Sequence, residues 1–376
     1  MGSTKDFSLG VTRRRMLATI GLAGAALGSA GSRPARPAAE TSFDKILAGA
    51  QAEGHLVVWA PDPVSEEAQA AAFSKFNERF GLRIAGEWLA INPAEGSARV
   101  IAEEAARGRA SVDVIGSDST EGMLTPFKVG VIKPYPYLDV FSANIPGVKA
   151  ATELVVPGLR GVGLHEYDFV FGLAWNTTLV KERDLPKNVT DLTDPHFMGR
   201  FSLNQFALVP LDVISYAMGR EATLDLARKL LDNKPVFARG SAVVANFVST
   251  GAAPMGITGY HFIETAKRNG EPVEFRQFGD VIPVSPQHVY VLENSPNPNA
   301  ARLFAAWFAA EGVQIVNHYN LMPNAFAAGS NLARSIKAQQ DASGAKIAKV
   351  ASVEMAEGGI EIRKAIQALL AEQGTK

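Results

Sequence analysis

The sequence predicts an α/β protein of two lobes, each a mostly parallel, doubly wound sheet. Three observations predict it. From His55 to Ile115, apolar runs of strand length alternate with stretches of helical periodicity in the order β-α-β-α-β, the pattern of parallel strands with crossover helices. The runs HLVVWA (His55–Ala60) and FVFGLAW (Phe169–Trp175) are almost continuously apolar, as strands buried on both faces are. A chain of 376 residues with 47% hydrophobic content also suffices for two lobes of ordinary domain size.

The chain opens on a different signal. Thr12-Arg13-Arg14-Arg15-Met16-Leu17-Ala18 precedes the Gly/Ala-rich apolar run Thr19–Ala30, which reads as a Tat export signal cleaved between Ala30 and Ala39. Residues 1–39 are therefore expected to be signal peptide and linker. Their removal takes away six of the 37 Lys and Arg residues (Lys5, Arg13, Arg14, Arg15, Arg33, Arg36) and one of the 38 acidic ones (Asp6). That leaves 31 against 37 and a net charge of −6. Such a balance argues against a nucleic-acid partner, which needs a basic face. The absence of cysteine excludes a lipoprotein anchor, disulfides, thiolate metal sites and Cys nucleophiles. An exported, anchorless, monomeric protein of a periplasm is expected.

The first lobe is expected to begin at residues 40–168. Thr41-Ser42-Phe43-Asp44 opens a helix that Gly54 ends; a strand at His55–Ala60 follows. Further helices are expected at Val64–Phe80 and Ala98–Arg107, and strands at Leu82–Leu89 and Val112–Ile115. The stretch Ile91–Ser97 reads as a polar turn. The strand ends set Asp62, Gly96-Ser97 and Ser117-Asp118-Ser119 on one rim, where Asp62 and Asp118 suit an amine and the serines suit hydrogen bonding. Residues 169–280 form the second lobe. Its strand Phe169–Trp175 ends at Asn176, short helices are expected at Thr178–Asp184 and Asp191–Met198, and Pro210 starts another helix. Residues 281–376 return to the first lobe and add C-terminal helices, broken near Ser343-Gly344 and Gly358-Gly359.

Lys234–Phe262 (KPVFARGSAVVANFVSTGAAPMGITGYHF) is the stretch around which a site is organised. Gly240-Ser241 presents backbone amides and a hydroxyl where a helix begins, a setting that attracts anionic oxygens. Arg239 stands beside them and suits a carboxylate or phosphate. Tyr260 and His261 fall just past the carboxyl end of an apolar strand, where open α/β sheets bind ligands; His261 would supply a cation when protonated. Trp59 and Trp175 read as core. No GxSxG, GxGxxG, GxxxxGK or HExxH pattern points to an enzyme.

Several segments in sequence order carry a resemblance: AEGHLVVW, GSARVIAE, VDVI, LAWNTTLVKERDLPKNVTDLTDPHFMGRFSL, PVFARGSAV, GAAPMGITGYHF and NSPNPNAARLFAAWFAAEGVQ. Together, over residues 45 to 325, they resemble the periplasmic solute-binding proteins of ABC importers, in the group that includes the ferric-iron binders. The resemblance implies two lobes joined by hinge strands (the type II fold), closing over a small-molecule solute for delivery to an inner-membrane ABC permease, with no resident cofactor. The family's anion-cradling turn lands on Ala207–Val209, and its two loop asparagines on Gly240 and Thr258. Ferric binders use adjacent tyrosines, here Tyr260 and His261. A neutral imidazole replaces a phenolate poorly for a hard cation. A small anionic or zwitterionic organic solute is therefore expected, with Fe3+ and a bridging anion as the alternative.

Overall fold

Ser42 accepts a hydrogen bond from the Lys45 amide and starts α1 (Phe43–Glu53), which Gly54 ends in the left-handed conformation. In this computed structural model, residues 42–61, 65–91, 93–106, 108–320, 325–326 and 330–374 are described. The expected export signal and Asp62 lie outside the described residues. β1 (His55–Trp59), α2 (Glu66–Phe80), β2 (Ala85–Leu89), α3 (Pro93–Ala105) and β3 (Val114–Ser119) follow. β1 runs parallel to both β2 and β3, as the alternation predicts. After α4 (Thr120–Lys128), α5 (Tyr137–Phe141) and α6 (Val148–Glu153) comes the long strand β4 (Leu164–Asn176).

The second parallel set comprises β5 (Phe201–Asn204), α7 (Leu211–Met218), α8 (Arg220–Asp232), β6 (Val236–Ala238), α9 (Ser241–Ser249) and β7 (Met255–Gly259). α10 (Tyr260–Arg268), β8 (Val273–Arg276) and the long strand β9 (Val281–Val291) come next. The chain then runs through α11 (Pro298–Trp307), α12 (Val313–Asn320), α13 (Asn331–Ser343), β10 (Lys346–Ala348) and α14 (Val353–Gly374). The strand order is β2-β1-β3-β9-β4-β7-β5-β6, with β10 beside β9 and β8 beside β4.

β4 and β9 connect the two parallel sets. β4 pairs with β9 over Leu164–Val170 and with β7 over Phe171–Trp175, antiparallel in both cases. One strand thus leaves the first sheet and enters the second without a break. Each lobe keeps its own core. Phe76, Phe141 and Phe304 centre one cluster of the first lobe, and Trp59, Met123 and Tyr290 a second. Phe201, Leu230 and Ile257 centre that of the other lobe. Each such side chain contributes roughly 1.5–3 kcal/mol by leaving water, so the lobes are separately stabilised and the two strands position one against the other.

Four local expectations change. The strand expected from Leu82 begins at Ala85. The stretch read as a turn at Ile91–Ser97 starts α3 instead, because Pro93 takes the first helical position. Within Thr178–Asp184 only Glu182–Asp184 forms a 3-10 turn, and Asp191–Met198 falls in two 3-10 turns capped at short range by Asp191 and Asp194, in place of the expected α-helices. α14 runs unbroken through Gly358-Gly359. A Cβ on Gly359 would overlap the Tyr216 hydroxyl, so that glycine serves close approach.

Candidate functional site

The carboxyl ends of the parallel strands in both lobes carry the candidate residues. In the first lobe the register between β3 and β9 slips between Ile115 and Asp118, and Ser117 takes φ 57°. This turns the strand end inward. The Ser117 amide donates to Glu166 Oε2 at 2.7 Å. Asp118 Oδ2 accepts from the Tyr290 hydroxyl at 2.9 Å and from Ser97 at 3.3 Å. Burial pushes its carboxyl up to about 6, against the Tyr290 bond and the Arg363 charge. Ser97, Ser117 and Asp118 are thus buried, and the structure presents only Ser119 of that group part-exposed. Ser119 caps α4 by accepting from the Gly122 amide at 3.2 Å.

In the second lobe, Thr258 at the end of β7 donates to the Ser241 carbonyl at 2.6 Å, and Asn204 at the end of β5 donates to the Ser241 hydroxyl at 3.4 Å. Three strand and helix ends therefore meet at Ser241. Gly240, at φ 104°, lets the chain enter α9 with no side chain capping the helix, which leaves amides of the first turn open toward this edge. Ala207 lies in the β5–α7 loop, where it and Leu208 take φ near 50°. Arg239 is exposed.

Tyr260 and His261 open α10, where the strand-end reading placed them, but their rings diverge. Tyr260 is half-buried against Phe275, and burial with the nearby Glu264 charge raises its phenol above the usual range. His261 turns inward with its ring 4.5 Å from Phe169 and 3.9 Å from Phe262. Burial lowers it to about 3, which corrects the expectation of a protonated His261 cation. Asn176 stands apart from the group. It follows Trp175, which pairs with the first residue of β7, and its amide is taken by the Val248 and Ser249 carbonyls. The far end of the sheet is where it lies.

Sequence reasoning missed the groups that join the two lobes. Arg363 of α14 donates from Nε to Asp212 in the first turn of α7, and its Nη2 lies 3.6 Å from Glu121 and 3.5 Å from Ser119 at the start of α4. Tyr216 of α7 donates to Glu121. Acidic residues in a helix's first turn read as dipole complements, so Glu121 and Asp212 gave no other signal. On the connecting strands, Asp168 pairs with His165 at 3.3 Å and with Lys349 at 3.2 Å.

A family model for the bacterial extracellular solute-binding proteins matches residues 128–343. The chain belongs to that family. Comparison with curated proteins found no match. Solved solute-binding proteins share the two-lobe fold. Iron-bound HitA from Pseudomonas aeruginosa is 18% identical, over 83% of this chain and 99% of that one, with a TM-score of 0.66. AfuA from Actinobacillus pleuropneumoniae, with fructose-6-phosphate bound, is 16% identical over 85% and 98%, at a TM-score of 0.62. AgtB from Agrobacterium tumefaciens R10, in complex with agropinic acid, is 16% identical over 86% and 99%, at 0.61. The family and these neighbours are binding proteins, and this solute-binding protein has their type II architecture.

Proposed function

We propose that this solute-binding protein captures a small anionic or zwitterionic organic solute between its lobes, in the periplasm, and delivers it to an ABC permease without chemistry of its own. Export is by the Tat route and the protein acts as a monomer. One observation carries the solute class. The helices α9 and α10 begin at the candidate edge of the sheet with neither a side-chain cap nor an acidic residue in the first turn, and helix N-termini favour negative groups. Thr258, Ser241 and Asn204 add neutral polar groups at that edge. The solutes of AfuA and AgtB, a sugar phosphate and agropinic acid, are of the same charged organic kind.

Ferric iron, the ligand of HitA, is the weaker reading. Its hardness calls for several anionic oxygens. Here the Tyr260 phenol is held toward its neutral form, and the His261 ring packs against Phe169. Among the described residues, no three His, Asp or Glu side chains gather as a metal site.

The test is the mass of the protein isolated from its own periplasm, measured first under native and then under denaturing conditions. An added organic mass lost on denaturation is expected. An added mass of iron, with or without a small anion, would replace this reading by the ferric one. Consumption of any bound solute would overturn the assignment as a binding protein.

A further inference from the structure

We infer that α14 is a bending strap between the lobes, pivoting at Gly358-Gly359 and latched by Arg363. The helix packs its two halves into different cores. Ala356 is buried in the cluster of Trp59, Met123 and Tyr290 of the first lobe. Ile362 and Ile366 are buried with Leu203, Leu211 and Leu230 of the second. The buried anchors fall on either side of the glycine pair, Ala356 before it and Ile362 after it, and the partly buried Ile360 still packs against the first cluster.

The two glycines differ in what they do. Gly359 is required by the Tyr216 hydroxyl, as described above. Gly358 has open space where a Cβ would stand and no left-handed φ. Neither crowding nor backbone conformation explains it. What remains is the weakening a glycine brings to a helix interior. A helix anchored in two bodies that move about β4 and β9 needs such a point between its anchors.

Charges hold the strap in the conformation seen. Arg363 joins Asp212 of the second lobe to Glu121 and Ser119 of the first. Lys128 of α4 pairs with Glu357 one residue before the pivot, so the first half of α14 is tied to the first lobe by charge as well as by Ala356. Both carboxylates that meet Arg363 are buried, Asp212 wholly so. Opening the lobes pulls Glu121 and Ser119 away from Arg363 and Tyr216, and bends α14 at Gly358. Hydrogen bonds to charged groups are the strong ones, so the latch favours the arrangement seen.

Hydrogen exchange and small-angle scattering on the unliganded mature protein test this independently of any solute. Arg363→Met is expected to enlarge the radius of gyration and to speed exchange by about tenfold, the effect of roughly 1.4 kcal/mol, in the first turn of α4 and in Val353–Glu357. Exchange in the core strands should stay at the wild-type level. Gly358→Ala, for which there is space, should slow exchange in those segments about fivefold, from the difference between Gly and Ala in a helix. If Arg363→Met unfolds the protein, Gly358→Ala alone decides. Wild-type exchange and scattering in both variants, or in Gly358→Ala alone where the other does not fold, would overturn the strap.

Discussion

His261 places a titratable ring in a wall of aromatic side chains, against Phe169 and Phe262. Its pKa falls from 6.5 to about 3 through burial. A base depressed in the folded state contributes its stability above about 6.5, and that contribution is lost as pH falls toward 3, because the unfolded chain takes up the proton first. Between pH 7 and pH 4 the loss amounts to about 3 kcal/mol. In His261→Phe this part of the acid slope should vanish, as urea unfolding across that range would record. An unchanged slope would mean that the ring meets water. The same variant bears on the site: with the ring in the wall, solute affinity should stay within a few-fold. The sequence shows that Tyr260 and His261 follow a strand, since the apolar run and its end are local features. It does not show that successive residues in the first turn of α10 diverge by about 100°, which sends one ring toward Phe275 and the other into the wall. Ser97 and Asp118 were likewise recognisable as polar residues near strand ends, but their burial under Tyr290 depends on β9, distant in sequence.

The seat of α9 fixes how Ser241 meets Asn204 and Thr258. Gly256 of β7 pairs with Ser202 of β5 directly beneath the helix. A Cβ there would stand 2.6 Å from Val244 Cγ1, 3.1 Å from the Ser202 carbonyl and 3.3 Å from Val248 Cγ2. Two of these three neighbours belong to α9, so the helix must lift to admit a methyl group. Gly256→Ala should cost about 1–3 kcal/mol as an overpacked core does, and should weaken solute binding through the displaced Ser241. Urea midpoints with a solute titration would check both effects. A stable variant with full affinity would show that α9 is not seated by this contact. The strands and most helices were recognisable from periodicity because their apolar spacing is local. The full extent of β4 was not. Its first residues, Leu164-His165-Glu166-Tyr167-Asp168, are mostly polar, and they are held as strand by β9 rather than by their own pattern. Gly358-Gly359 misled for the converse reason, since a helix boundary and a close approach both select glycine.

At the scale of the whole molecule, the two lobes meet around Asp168, two residues before β4 passes from one sheet to the other. Burial opposes its charge. The hydrogen bond and charge of His165, the Lys349 ammonium and the Ala325 amide outweigh that and hold it down to about 2. Lys349 follows β10, and Ala325 lies between α12 and α13, so the carboxylate gathers three separate segments onto the connecting strand. A depressed carboxyl contributes its stability above the unfolded value of about 3.8, and loses it as pH falls toward 2. The contribution is about 2 kcal/mol at neutral pH. Asp168→Asn removes it and also leaves Lys349 and His165 facing a neutral amide inside the protein. Such a broken buried pair costs about 3–5 kcal/mol. The variant should therefore be less stable than the wild type at pH 7 by that amount, and the gap should narrow as pH falls from 4 to 2, where the wild-type carboxylate gains its proton. Guanidinium unfolding at pH 7, 4 and 2 measures both. A gap that holds constant with pH would mean that Asp168 acts by shape and not by charge. Because β4 is shared by both sheets, the loss should appear in each lobe together, as a lowered midpoint common to tryptophans on the two sides, Trp59 in the first lobe and Trp175 in the second.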